Sequence, residues 1–239
     1  CAPGTEIQWY EYWKEKRMRW HRALGISESN YRFHDHVKLA HYANAAVDIE
    51  YNFPFGFKEV EGIHSRTDFD LSKHEEFSGK KMRYFDPERN ESYIPYVVET
   101  SIGLDRLFLL TLSEAFTEEQ LDGDTRIVLK LHPSVAPVKC AILPLVKKDG
   151  LPELAERIYE DLRLDMNVFI EDKDSIGKRY RRMDAIGTPF CITVDHDSLT
   201  QGDVTIRHRD SMEQERVPID KVKAIITQAC SMRELLKNI

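Results

Sequence analysis

The sequence predicts an α/β protein with two regions, and three observations carry that prediction. Residues 96–106, Tyr-Val-Val-Glu-Thr-Ser-Ile-Gly-Leu-Asp-Arg, run directly into the apolar stretch Leu-Phe-Leu-Leu-Thr-Leu at 107–112. That reads as a buried strand feeding a helix through a glycine. Beyond Val138, short apolar runs alternate with longer amphipathic ones, the pattern of a compact domain with a largely parallel sheet. At 239 residues, 41% of them hydrophobic and 10% aromatic, the chain has enough apolar surface to form one large or two ordinary domains.

Composition narrows the class. No run of 18 or more apolar residues is present, so no membrane span is predicted. No signal peptide opens the chain, and its four cysteines lack metal-type spacing. Cys140 and Cys191 sit in apolar strand patterns and read as buried reduced thiols of a cytoplasmic protein. The chain begins at Cys1 rather than methionine, which reads as a fragment or a processed product. Residues 1–137 carry 17 Lys and Arg against 23 Asp and Glu, and residues 138–239 carry 17 against 18. A global basic signature for nucleic acid is therefore lacking, and any such contact must come from a local patch.

Element by element, residues 6–24 space aromatic and basic side chains at i, i+3 and i+4, predicting a helix with one buried aromatic face, stopped at Gly25. The basic-aromatic stripe also suits nucleic acid. Residues 37–46 predict a helix of small residues, with His34, His36 and His41 read as structural histidines; a metal site built from them is the alternative. Residues 48–57 read as a strand and turn, and residues 58–63 as a second strand. Strict alternation puts Glu59 and Glu61 on one face and Val60 on the other. Two such carboxylates fit either a solvated edge or a bound ammonium. Ser72 and Glu75 fit a capping box, and residues 77–91 a charged loop or hairpin. A helix over 106–116, an acidic loop over 117–124 and a proline-bearing linker over 128–137 follow. In the tail, strands are predicted at 138–146, 167–170, 189–194, 204–209 and 215–218, and helices at 151–164, 175–185 and 221–230.

The chemistry concentrates at the strand-to-helix junction. Gly103 permits unusual backbone angles and close approach of a ligand. The helix start offers free N–H groups and positive dipole to a phosphate, and Arg106 adds a permanently charged fork. With Glu99 and Ser101 on the incoming strand, the layout suits a zwitterion beside a polyphosphate.

These residues also carry a resemblance. Val98-Glu-Thr-Ser-Ile-Gly-Leu-Asp-Arg106 resembles the third signature motif of class II aminoacyl-tRNA synthetases. The tail is similar to the anticodon-binding domain shared by the glycyl, histidyl, prolyl and threonyl members, through Ala136-Pro-Val138, Ser175-Ile-Gly-Lys-Arg179, Met183-Asp-Ala-Ile-Gly-Thr-Pro189 and Val204-Thr-Ile-Arg-His-Arg-Asp210. Cys1-Ala-Pro-Gly-Thr-Glu6, Leu39-Ala-His-Tyr-Ala43, Asp48-Ile-Glu-Tyr51 and Glu59-Val-Glu-Gly-Ile-His-Ser-Arg-Thr-Asp-Phe-Asp-Leu71 look most like the homodimeric glycyl branch. The resemblance implies an α/β architecture. Residues 1–132 form the later part of a catalytic domain with an antiparallel sheet, and residues 133–239 an anticodon-binding domain with a mixed five-stranded sheet.

By that resemblance the chain serves ATP-dependent ligation of glycine to its tRNA through glycyl-adenylate. Arg106 and Glu59 are the implied catalytic residues. Glu59, Glu99, Thr100, Ser101, Ile102 and Gly103 are placed at glycine; Glu59, Val60, Gly103, Leu104, Asp105 and Arg106 at ATP. Mg²⁺ enters with the nucleotide, with Glu99 as the one candidate protein ligand. Lys178, Arg179, Arg181 and Arg182 are candidate contacts to tRNA(Gly), with a solvated basic face as the plain reading; Glu171 and Asp174 are candidates for reading cytosine. The family's first two motifs, which carry the main dimer contact and an ATP-binding arginine, precede the stretch resembled here. The fragment is therefore expected to be inactive alone, to expose apolar surface, and to belong to a homodimeric cytoplasmic enzyme. The competing readings are a non-catalytic nucleic-acid-binding relative and a synthetase for proline or threonine.

Overall fold

The computed structural model describes residues 1–121, 123–237 and 239. It divides into two compact units, Cys1–Leu110 with Ile239 and Thr111–Asn238.

The front unit begins with α1 (Glu6–Ala23). Tyr10, Met18 and His21 form its buried stripe, whereas Trp9, Tyr12 and Trp13 stand exposed on a second stripe. The expected buried aromatic face is thus mostly outward, because the helix meets the sheet along the Tyr10–Met18 line. Gly25, at φ +86°, ends it as expected.

Strands β1 (Tyr31–Asp35), β2 (Ala45–Phe53) and β3 (Gly56–Ser65) follow, then α2 (Phe69–Ser78), the hairpin β4 (Tyr84–Asp86) with β5 (Glu91–Tyr93), β6 (Val98–Ile102) and α3 (Leu104–Ala115). The main sheet runs β1-β2-β3-β6 and is antiparallel throughout. Residues 37–44 are not a helix. One turn closes at Ala43 on Ala40, Asn44 then bonds to Ser65, and the sheet takes Ala45 and Ala46 into β2. The capping box expected at Ser72 is also displaced. Helix α2 starts earlier, and Ser72 donates back to the carboxylate of Asp68 at the cap. Strand β6 lies at the sheet edge, with residues 100–102 exposed rather than buried.

The second unit holds the hairpin β7 (Phe116–Leu121) with β8 (Asp124–Leu129), where the sequence suggested an acidic loop; Asp122 of that loop lies outside the described residues. Arg126 on β8 is fully buried, bonded to Asp184 at 2.9 Å, to Glu119 at 2.6 Å and to the Arg209 carbonyl. Arg207 grips the same Asp184 at 2.9 and 3.1 Å. Removing one member of such a network leaves a buried charge unpaired. This network ties the hairpin to the tail within the second unit.

Next come β9 (Cys140–Pro144), α4 (Leu151–Leu162), β10 (Val168–Ile170), α5 (Ile176–Ala185), β11 (Phe190–Val194), α6 (His196–Gln201), β12 (Asp203–His208), β13 (Gln214–Pro218), α7 (Ile219–Ala229) and α8 (Met232–Leu236). The five-stranded sheet, β10-β9-β11-β12-β13, is parallel across its first three strands and antiparallel beyond. It is the expected mixed sheet, less parallel than alternation alone suggested. The core joins Cys140, Ile142, Ile192 and Ile206 to Leu151, Leu162 and Ile226. Burial pushes the Cys191 thiol up to about 12, consistent with an unreactive core cysteine.

Candidate functional site

The front sheet has two chemically different faces. Register and alternation put Tyr31, Val47, Ile49, Ile63 and Val98 on one face, packed as the core beneath α1. Arg32, His34, Asp48, Glu50, Glu59, His64, Glu99 and Ser101 share the other, polar face.

A β-bulge decides where the two glutamates go. The β2–β3 register slips between Ile49 and Glu50, so that Ile49 faces Glu61 while Glu50 faces Glu59. A bulge places two residues against one and turns the side chains beyond it. Glu59 stays on the polar face, half exposed. Val60 and Glu61 are both 1% exposed. Glu61 is held by Arg17 and, at 2.9 Å, by His21, whose other ring nitrogen meets the Tyr31 hydroxyl at 3.1 Å. The shared face expected for Glu59 and Glu61 is therefore corrected: Glu61 is a structural ion partner of α1. Its burial raises its pKa, but the hydrogen bonds from His21 and Arg17 outweigh that and hold it below the ordinary carboxylate range.

Arg106, in the first turn of α3, donates Nη1 to the Glu59 carbonyl at 2.7 Å and reaches its carboxylate at 3.3 Å. Gly103 donates its N–H to the Val60 carbonyl at 3.1 Å and accepts from Leu107 at 2.9 Å, tying β3 to the start of α3. Gly103 does not adopt a left-handed backbone; a Cβ there would meet only the Arg106 side chain at ordinary contact distance. The conformational role expected for it is absent, and what the glycine leaves is a bare approach to the helix start.

Glu99 faces His64 across the ladder, and Ser101 faces Gly62. Arg66 binds Glu99 at 2.8 Å, Asp70 at 2.6 and 3.0 Å, and lies over the Tyr42 ring. Sequence reading missed Arg66; its i, i+4 spacing to Asp70 just past β3 was the available signal. Thr100 and Ile102 alternate to the other face, and the Val60 side chain is in the core, so none of the three presents a side chain to the polar face. Leu104 and Asp105 are exposed at the start of α3. Leu104, Phe108 and Leu109 form an outward apolar patch on that helix.

A groove of about 470 Å³ crosses the polar face, lined by His34, His36, Asp48, Glu50, Glu59 and Arg106 among others. Glu99 and Ser101 lie on the same face but outside that lining. A second cavity of about 480 Å³, lined by Cys1, Thr5, Trp9, Trp13, Arg89 and Val98, belongs to the α1 side of the sheet and holds none of the predicted ligands. His41 packs against Tyr42 and Phe69, in keeping with a structural role.

On the tail, the basic run of α5 separates by role. Arg179 is 2% exposed and donates to the carbonyls of Pro144, Leu145 and Glu171, so its expected phosphate contact is corrected. Arg182 holds Glu171 and Asp174, which occupies both carboxylates proposed to read cytosine. Arg181 meets Asp124 at 3.2 Å. Lys178 is exposed.

Residues 139–229 match the family model described as an anticodon binding domain. An anticodon-binding domain is thus present over that stretch. Over most of its length it is homologous to glycine–tRNA ligases. The ligase of Chlorobaculum tepidum is 54% identical across 92% of this chain and 47% of its own length. That of Borrelia hermsii is 53% identical, covering 94% and 52%; that of Geobacillus kaustophilus is 52% identical, covering 95% and 50%. The chain spans about half the length of the curated relatives it matches.

Proposed function

We propose that this chain is the later catalytic portion and the anticodon-binding portion of a cytoplasmic, homodimeric glycine–tRNA ligase. The reading rests on the polar face of β3, where Arg106 and Glu59 touch each other at the foot of α3. In it, the groove-facing carboxylate of Glu59, with Glu99 and Ser101 on the same face, holds the ammonium of glycine. Arg106 turns its fork to the ATP phosphates and stabilises the charge that develops as pyrophosphate leaves. The nucleophile is glycine's own carboxylate, so positioning and charge suffice without a protein base.

The donor chemistry suits Mg²⁺: hard carboxylate oxygens on this face complement a cation that arrives on nucleotide phosphates. Glu99 is the protein ligand we assign to it, with Arg66 as its competitor for that carboxylate. When bound, the ion neutralises phosphate charge. In the tail, Lys178 and the outer edges of Arg181 and Arg182 are the proposed contacts to tRNA(Gly). The domain assignment proposed is 1–132 for the catalytic portion and 133–239 for the anticodon-binding domain.

The test has two arms. A protein spanning the full length of the relatives exchanges pyrophosphate into ATP when given glycine, whereas this chain alone does not. Filter binding of tRNA(Gly) to this chain weakens steeply with salt. Exchange driven by proline or threonine, or binding indifferent to salt, contradicts the reading.

A further inference from the structure

We propose that His36, Asp48 and His64 form a binding site for a divalent first-row transition metal, zinc above all. One ring nitrogen of each histidine and one oxygen of Asp48 lie within 4.8 Å of one another. The inference stands apart from the aminoacylation reading and needs none of its assignments.

Three elements build the cluster. His36 follows β1 and donates its N–H to the Ala46 carbonyl at 3.1 Å, which extends the ladder by one residue. Asp48 lies on β2 opposite Gly62, and His64 is two residues further along β3. Gly62 makes the approach possible. A Cβ there would sit 3.2 Å from His64 Cε1, 3.3 Å from its Nε2 and 3.5 Å from Asp48 Oδ1. The His64 ring therefore lies over a bare backbone, beside the Asp48 carboxylate.

Two further observations point to a cation. His64 Nδ1 is buried and has no hydrogen-bond partner among the described residues. His36 Nε2 and Asp48 Oδ2 already stand 2.8 Å apart, so two of the three donors meet in the fold itself. Donors around a tetrahedral zinc with bonds of about 2.1 Å are about 3.4 Å apart. Modest side-chain rotation on this half-buried face closes the set.

The donor set selects the metal. Two imidazoles and one carboxylate suit zinc and its neighbours. They lack the sulfur that copper(I) favours and the oxygen-only shell of magnesium or calcium. Three protein ligands leave a fourth position to water. His36 and Asp48 also line the groove of the polar face, so the ion is reachable from solvent. The set differs from the sequence triplet: His34 and His41 drop out, and Asp48 and His64 take their place.

Cobalt(II) titration of the Cys1→Ser protein tests the site; that background removes the thiol that would chelate together with the N-terminal amine. One equivalent is expected to raise the visible absorption of tetrahedral cobalt, and zinc to displace it. Asp48→Asn and His64→Gln each weaken binding at least tenfold, whereas His41→Gln leaves it unchanged. Tryptophan fluorescence reports folding of the front unit, and His36→Gln, at a more exposed ligand, serves if His64→Gln misfolds. Absence of any such absorption, or absorption that persists in both Asp48→Asn and His36→Gln, overturns the proposal.

Discussion

The Arg106 guanidinium donates to the main-chain carbonyl of Glu59 at 2.7 Å while lying 3.3 Å from that residue's carboxylate. One residue thereby fixes the cation through backbone and side chain together, and the contact joins β3 to the first turn of α3. In the ligase proposed here, Arg106→Ala lowers glycine-dependent pyrophosphate exchange about 100-fold or more, the scale seen for losing one preorganised charge-stabilising donor. Arg106→Lys recovers little of it, since an ammonium lacks the fork. Both variants are read by initial exchange rates at saturating ATP.

Glu61 governs stability rather than chemistry. Replacing it with Gln strands the His21 and Arg17 contacts beneath α1, and the expected loss is about 3–5 kcal/mol. Trp9, Trp13 and Trp20 are the chain's three tryptophans and all lie on α1. Urea unfolding followed by tryptophan fluorescence therefore isolates the front unit.

The same carboxylate sets an acid limit. Its pKa is lowered in the fold: burial raises it, and the hydrogen bonds from His21 and Arg17 more than offset that. Its contribution is therefore complete above the ordinary value of 4.5 and is lost as the pH falls through the lowered folded value. Wild-type and Glu61→Gln proteins, unfolded in urea at a series of pH values, should differ most near neutrality and converge in acid.

Gly187 shows backbone need in the tail. It sits at φ +82°, and a Cβ would lie 2.9 Å from Leu131 Cδ1 and 3.0 Å from the Leu129 carbonyl. Gly187→Ala should destabilise the second unit by about 1–3 kcal/mol, combining left-handed strain with a clash. Thermal unfolding by far-ultraviolet circular dichroism measures it.

On α5, neighbouring cations should respond oppositely. Arg179→Ala removes a buried donor from three carbonyls and lowers stability. Lys178→Ala leaves stability unchanged, weakens tRNA(Gly) binding and lowers the slope of log affinity against log salt by about 0.7–0.9.

The sequence made the tail legible because its apolar runs are short, separated by turn residues and buried on regular faces. Residues 190–194 and 140–144 needed no tertiary information. The front was harder for identifiable reasons. Period-two alternation paired Glu59 with Glu61, but a one-residue bulge at Val60 reverses every side chain beyond it, and nothing local announces a bulge. The small residues 40–46 suit a helix until a neighbouring strand offers its edge. Arg179 and Arg182 have the same chemistry in sequence; only the surrounding carbonyls and carboxylates assign one to the interior and the other to the surface. At the junction over 98–106 the fold sets Arg106 against Glu59 and Glu99 against Arg66; the edge position of the strand and the Arg66 clamp on Glu99 have no local signature and required the fold.

Glycine-dependent pyrophosphate exchange, measured on a protein as long as the relatives with Glu59→Gln and Arg106→Ala alongside the wild type, addresses the polar face most directly. The wild type should exchange with glycine and not with proline or threonine, and both variants should lose nearly all of that rate. Full exchange by either variant, or exchange driven by another amino acid, would contradict the assignment of this face to glycine and ATP.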